Sequence, residues 1–105
     1  MSAELYITFE DKNWFNRNRN VLKEQILSLN TFVSCEHEEF WLKGIESTNN
    51  PYYDVRLFLG YEDCVLLEIT FHPLSIEQSV EQFLGWLRRQ TSISVKDEDG
   101  EVSSW

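Results

Sequence analysis

Four residues carry the side chains most often used as soft metal ligands or nucleophiles: Cys35, His37, Cys64 and His72. Sulfur and imidazole together suit zinc, and Cys35 and His37 would share a face if they lay on one strand. The spacing argues against a site, because structural zinc usually takes a paired C-x₂₋₄-C or H-x₃₋₅-H element and the chain has neither. Nucleophilic cysteine chemistry needs a thiolate stabilised by positive neighbours. Cys35 is followed by Glu36, Glu38 and Glu39, and Cys64 follows Glu62 and Asp63, so both thiols should be pushed up rather than down. Carboxylates are plentiful, but nothing in the pattern fixes two of them around an apolar cleft. Glycine-rich phosphate loops are absent, with Gly44, Gly60, Gly85 and Gly100 all isolated. These residues predict no catalytic group, no metal site and no cofactor. A small metal-dependent enzyme using His37, His72 and nearby acids stays as an alternative.

The elements that must position these side chains are organised around Tyr52 to Phe71, two alternating apolar runs with a polar break between them. That pattern is a β-hairpin. Tyr53, Val55, Leu57 and Leu59 share one face of the first strand, and Val65, Leu67, Ile69 and Phe71 share one face of the second. For both faces to meet one core, Leu59 must pair with Val65, Leu57 with Leu67 and Val55 with Ile69. Tyr61, Glu62 and Asp63 then form the loop, and Arg56 falls opposite Glu68 on the other face as a complementary pair.

Around the hairpin, Glu4 to Phe9 alternates as a first strand, and Phe15, Leu22, Ile26 and Leu29 recur at helical spacing over about residues 14 to 29, with Asn13 or Asn16 as cap. Thr31 to Lys43 reads as one strand or, preferably, a hairpin turning at Glu36 to Glu39, where three carboxylates in four positions suit solvent. Gly44 to Pro51 is a loop. Ser75 with Gln78 forms a capping box for a second helix whose stripe is Ile76, Val80, Phe83, Leu84 and Leu87. Ile93 and Val95 begin a last strand before an Asp-Gly turn signal, and Glu101 to Trp105 folds back or trails. The expected fold is α+β, order β-α-β-β-β-β-α-β, an antiparallel sheet with two helices packed on one face. At 105 residues the chain makes a single domain, 1–105.

Charge narrows the function. Residues 1–30 hold four acids and four bases, while residues 31–105 hold fourteen acids and five bases, so the net charge of −9 is regional. Such a surface repels nucleic acid and anionic lipid and attracts basic proteins, although plain solubility would also explain it. No stretch of about 20 apolar residues crosses a membrane, and the start lacks a signal pattern, which predicts a cytoplasmic protein. The partner-facing residues then follow from position: the acidic turns Glu36, Glu38 and Glu39, Glu62 and Asp63, and Asp97, Glu98 and Asp99, with Trp41 and Phe58 as apolar anchors on strand faces away from the core. The alternative for that face is cover by the chain's own segment around Trp14 and Phe15.

A small, acidic, aromatic-rich α+β chain of this kind resembles the immunity proteins of bacterial polymorphic toxin and contact-dependent growth inhibition systems. The resemblance is of type and carries over no residue. It implies a basic toxin partner, such as a nuclease, neutralised by stoichiometric binding. A regulatory or assembly module that binds some other protein is the alternative.

Overall fold

The computed structural model describes residues 2–46 and 52–105. Within them run β1 (Ala3–Phe9), α1 (Lys12–Arg17), α2 (Arg19–Leu27), β2 (Phe32–Glu36), β3 (Glu39–Leu42), β4 (Val55–Phe58), β5 (Cys64–Ile69), α3 (Leu74–Gln90) and β6 (Ile93–Asp97). The strands form one antiparallel six-stranded sheet in the order β2-β3-β4-β5-β1-β6. Its core face presents Leu5, Ile7, Phe9, Phe40, Leu42, Val55, Leu57, Val65, Leu67 and Val95 to Phe15, Leu22 and Ile26 of α1 and α2 and to Ile76, Val80, Phe83, Leu84 and Leu87 of α3. All the described helices therefore lie on one face, as the apolar stripes require.

The central hairpin has the register that its apolar faces demand, with Leu57 opposite Leu67, Val55 opposite Ile69 and Arg56 opposite Glu68. Its ends differ from the expected alternation. Strand pairing starts only at Val55, and the buried Asp54 before it draws three backbone links together: its N–H donates to Leu42 (2.8 Å), its carbonyl accepts from Thr70 (2.8 Å) and its Oδ2 accepts from the Gly44 N–H (2.8 Å). This irregular join turns Tyr53 to the face opposite the core, where its hydroxyl reaches Glu68. Phe71, expected in the core, is exposed because β5 ends at Ile69.

The first helical region is two helices rather than one. Asp11 caps it in place of the expected Asn13 or Asn16, its Oδ1 accepting from the N–H groups of Asn13 (3.1 Å) and Trp14 (3.2 Å). Asn18 then breaks it: its side-chain amide donates to the Trp14 carbonyl at 2.8 Å, a local bond that competes with helix continuation. The second helix ends at Leu27, two residues short of the expected Leu29.

The Ser75 capping box does not form. Pro73 stands at the N-cap two residues earlier, helix α3 starts at Leu74, and Ser75 is buried. Its backbone N–H donates to Glu46 Oε2 at 3.0 Å, its hydroxyl donates to Glu46 Oε1 and accepts from the Ile45 N–H at 3.0 Å. A carboxylate from a distant loop thus caps the helix, and those hydrogen bonds hold the Glu46 pKa below its ordinary value. Of the loop expected over 44–51, residues 47–51 lie outside the described residues. At the far edge, the turn after β6 places Gly100 at φ 82°, and the chain folds back through a bridge between Lys96 and Val102 that brings Trp105 against the core.

Candidate partner-docking face

The sheet face away from the helices carries two cross-strand rows. One runs Lys96, Tyr6, Leu66, Phe58, Glu39, Glu36, and the other Glu4, Glu68, Arg56, Trp41, Ser34. Trp14 and Phe15 do not cover this face. Phe15 is fully buried on the helix side, and Trp14 packs there on Phe9 and Trp86. Leu66 is nevertheless only 6% exposed, although it stands apart from the main core. Its two neighbours in the row, Tyr6 and Phe58, are both half-buried, as aromatic side chains lying across an aliphatic one would be.

Charge on this face is arranged around Arg56. Its guanidinium meets Glu39 at 3.3 Å and Glu68 at 3.4 Å. Burial works against the charge, but the two carboxylates outweigh it and hold the guanidinium above its ordinary pKa. Glu39 also accepts the Trp41 indole N–H at 2.6 Å, which fixes the indole ring. Trp41 packs on Tyr53 with ring centroids 5.0 Å apart, and Phe58 meets Tyr61 edge-on at 5.0 Å. The Tyr53 phenol is pushed up by burial and by Glu68.

Five of the residues singled out from the sequence come together here. Glu36, Glu38, Glu39, Trp41 and Phe58, with His37, line a pocket of about 240 Å³ at the β2-β3 turn. The turn is tight, with His37 at φ 57°. The β4-β5 turn carrying Glu62 and Asp63 lies beside it, since the Leu59 N–H donates to the Glu38 carbonyl at 2.9 Å. Arg19 clamps that second turn to the helices by donating to the carbonyls of Leu59 and Tyr61. Antiparallel pairing brings the exit of β1, with Glu10 and Asp11, to the same end of the sheet as Asp63, an addition that spacing in sequence gave no means of finding.

Asp97, Glu98 and Asp99 do not join them. Asp97 ends β6, the opposite edge strand, and Glu98 and Asp99 follow it, at the other end of the sheet. Four strand spacings of about 4.8 Å separate β6 from β3. Two acidic regions therefore exist, and only one adjoins the aromatic pocket.

Cys35, His37, Cys64 and His72 are dispersed as well. Cys35 lies on β2 and pairs with the core-facing Phe40, whereas Cys64 lies on β5, three strands away, and pairs with Thr8 on the other face. His37 sits at one end of the sheet, and His72 follows β5 at the other, against Glu77 (3.0 Å) and Trp105. Burial and the adjacent Asp63 push the Cys64 thiol up. Among the described residues, no helix is long and apolar enough to cross a membrane. No family model, curated protein or solved structure matches the chain.

Proposed function

We propose that this chain is a binding protein that docks a basic protein partner on the sheet face opposite its described helices, in the manner of an immunity protein neutralising a cognate toxin domain by stoichiometric binding. The observation that carries this reading is the pocket at the β2-β3 turn, where two aromatic side chains and three carboxylates meet. Aromatic residues with an arginine nearby are the usual composition of an interface centre, and carboxylates around it select a partner of opposite charge. Glu62, Asp63, Glu10 and Asp11 extend the negative end beyond the pocket and would steer the encounter. The dispersal of the cysteines and histidines ranks this reading above the metal-dependent enzyme.

The test is to mix the chain with a basic toxin domain encoded beside it, where its genome carries one, in stopped flow at low and high salt. A one-to-one complex is expected, with association that slows steeply as salt rises. Reversing Glu36, Glu62 and Asp63 to Lys should slow association by about tenfold or more. The same reversal of Asp97, Glu98 and Asp99 should leave the rate within about twofold, because that region lies away from the pocket. An association rate indifferent to salt and to both sets of substitutions would overturn the electrostatic reading, and absence of any complex would overturn the immunity reading.

A further inference from the structure

We propose that the pocket at the β2-β3 turn receives one arginine side chain from the partner, an assignment that rests on the binding reading above and specifies what the site recognises. Size is the first argument. At about 240 Å³ the pocket falls below the roughly 300–1,000 Å³ of sites that enclose small molecules, and suits a single long side chain.

The walls and acceptors decide which side chain. Trp41 and Phe58 are flat and apolar, and the Trp41 ring is held in place by its bond to Glu39. A guanidinium lies on an aromatic face while donating in its own plane to carboxylates at the rim, whereas the compact lysine ammonium keeps its water. The chain already uses this geometry internally: the Arg19 guanidinium lies 4.3 Å over the Phe15 ring while its N–H groups bind Leu59 and Tyr61 carbonyls.

The carboxylates are unequally committed. Both oxygens of Glu39 are taken, by Trp41 and Arg56, and Glu38 Oε1 is taken by Lys23 at 2.9 Å. Glu36 stands directly opposite Glu39 across the strand pair, a like-charge juxtaposition that Arg56 relieves on the Glu39 side alone. A guanidinium entering between the aromatic walls and Glu36 completes the alternation of charge across the sheet.

The test uses the capped tripeptide acetyl-Gly-Arg-Gly-amide and its lysine and citrulline counterparts, titrated into isotope-labelled full chain. The readout is the Trp41 indole N–H resonance, assigned by its loss in Trp41→Phe. Arginine should give a saturable low-millimolar shift, lysine a weaker one and the uncharged citrulline none. Glu36→Gln should weaken the arginine response by up to about fivefold, the upper range for one exposed ion pair. Citrulline acting as well as arginine, or no saturable shift at the solubility limit, would overturn the assignment. The two readings fail separately. If a basic partner binds and Trp41→Ala and Phe58→Ala leave its dissociation unchanged, the arginine pocket fails and the binding function stands. If the arginine peptide saturates the pocket but the basic toxin domain does not bind, the reverse holds.

Discussion

Arg56 and Glu68 stand directly opposite each other on adjacent strands, Nη2 to Oε2 3.4 Å, while Glu39 holds the same guanidinium from the neighbouring strand on the other side at 3.3 Å. The trio lies on the sheet face opposite the described helices, with side chains 13–31% exposed, so solvent screens it only in part. Removing the arginine leaves two carboxylates facing each other across the gap. Arg56→Met should therefore cost about 1–2 kcal/mol in urea denaturation, and Glu68→Gln less, because one carboxylate remains for the arginine. A neutral Arg56→Met would show that the trio contributes nothing to stability.

Leu67 and Leu66 are sequence neighbours buried on opposite faces of β5. Leu67 belongs to the core between sheet and helices, where neighbouring side chains cannot collapse into a cavity, so Leu67→Ala should cost on the order of 2–5 kcal/mol. The open-face neighbours of Leu66, Tyr6 and Phe58, are free to resettle. Leu66→Ala should accordingly fall at or below about 2 kcal/mol by the same measurement. Equal losses would mean that the face opposite the helices is packed as rigidly as the core.

Glu46 makes stability depend on pH. Its carboxyl is held below the ordinary value of 4.5 by the Ser75 hydroxyl and backbone N–H, so the folded state favours the ionised form. Its contribution is complete above pH 4.5 and is lost as pH falls through the lowered value. Glu46→Gln should be less stable than the parent at neutral pH, and the gap should close in acid. Thermal melts of both proteins across that range would show it, and a gap that does not vary with pH would assign the difference to shape instead of charge.

The two cysteines should label at different rates in the native protein. Cys35 is exposed on the edge strand, whereas Cys64 is half-buried with its thiol pushed up by burial and by Asp63. A maleimide followed by peptide mapping should find Cys35 modified in the first phase and Cys64 in the second. Denaturant should abolish the difference.

Much of this molecule is legible in the order of its residues. The alternation in Val55 to Leu59 and Val65 to Ile69 settles both the hairpin and its register, because any slip would turn one apolar set to water. The same logic yields the Arg56 to Glu68 pair without reference to charge. The acidic stretch at Glu36 to Glu39 marks a turn, with Glu36 and Glu39 closing the two strands at its solvent-facing end, where like charges are tolerated better than in a strand interior. The stripe on α3 is all buried, as its spacing requires.

What the order of residues does not carry is any interaction whose partners are distant in the chain. Glu46 caps α3 in place of the local Ser75 and Gln78, because a fully charged acceptor delivered by a loop satisfies the helix N-terminus more strongly than a hydroxyl. Asp54 resets the phase of its strand through bonds to Leu42, Gly44 and Thr70, none of them a near neighbour, and so sends Tyr53 to the open face. Sequence proximity identified three acidic turns but could not group them. Strand order did that, setting Glu36 to Glu39 beside Glu62 and Asp63 and leaving Asp97 to Asp99 at the far edge, because which strands become neighbours is fixed by the burial of the whole sheet against its helices.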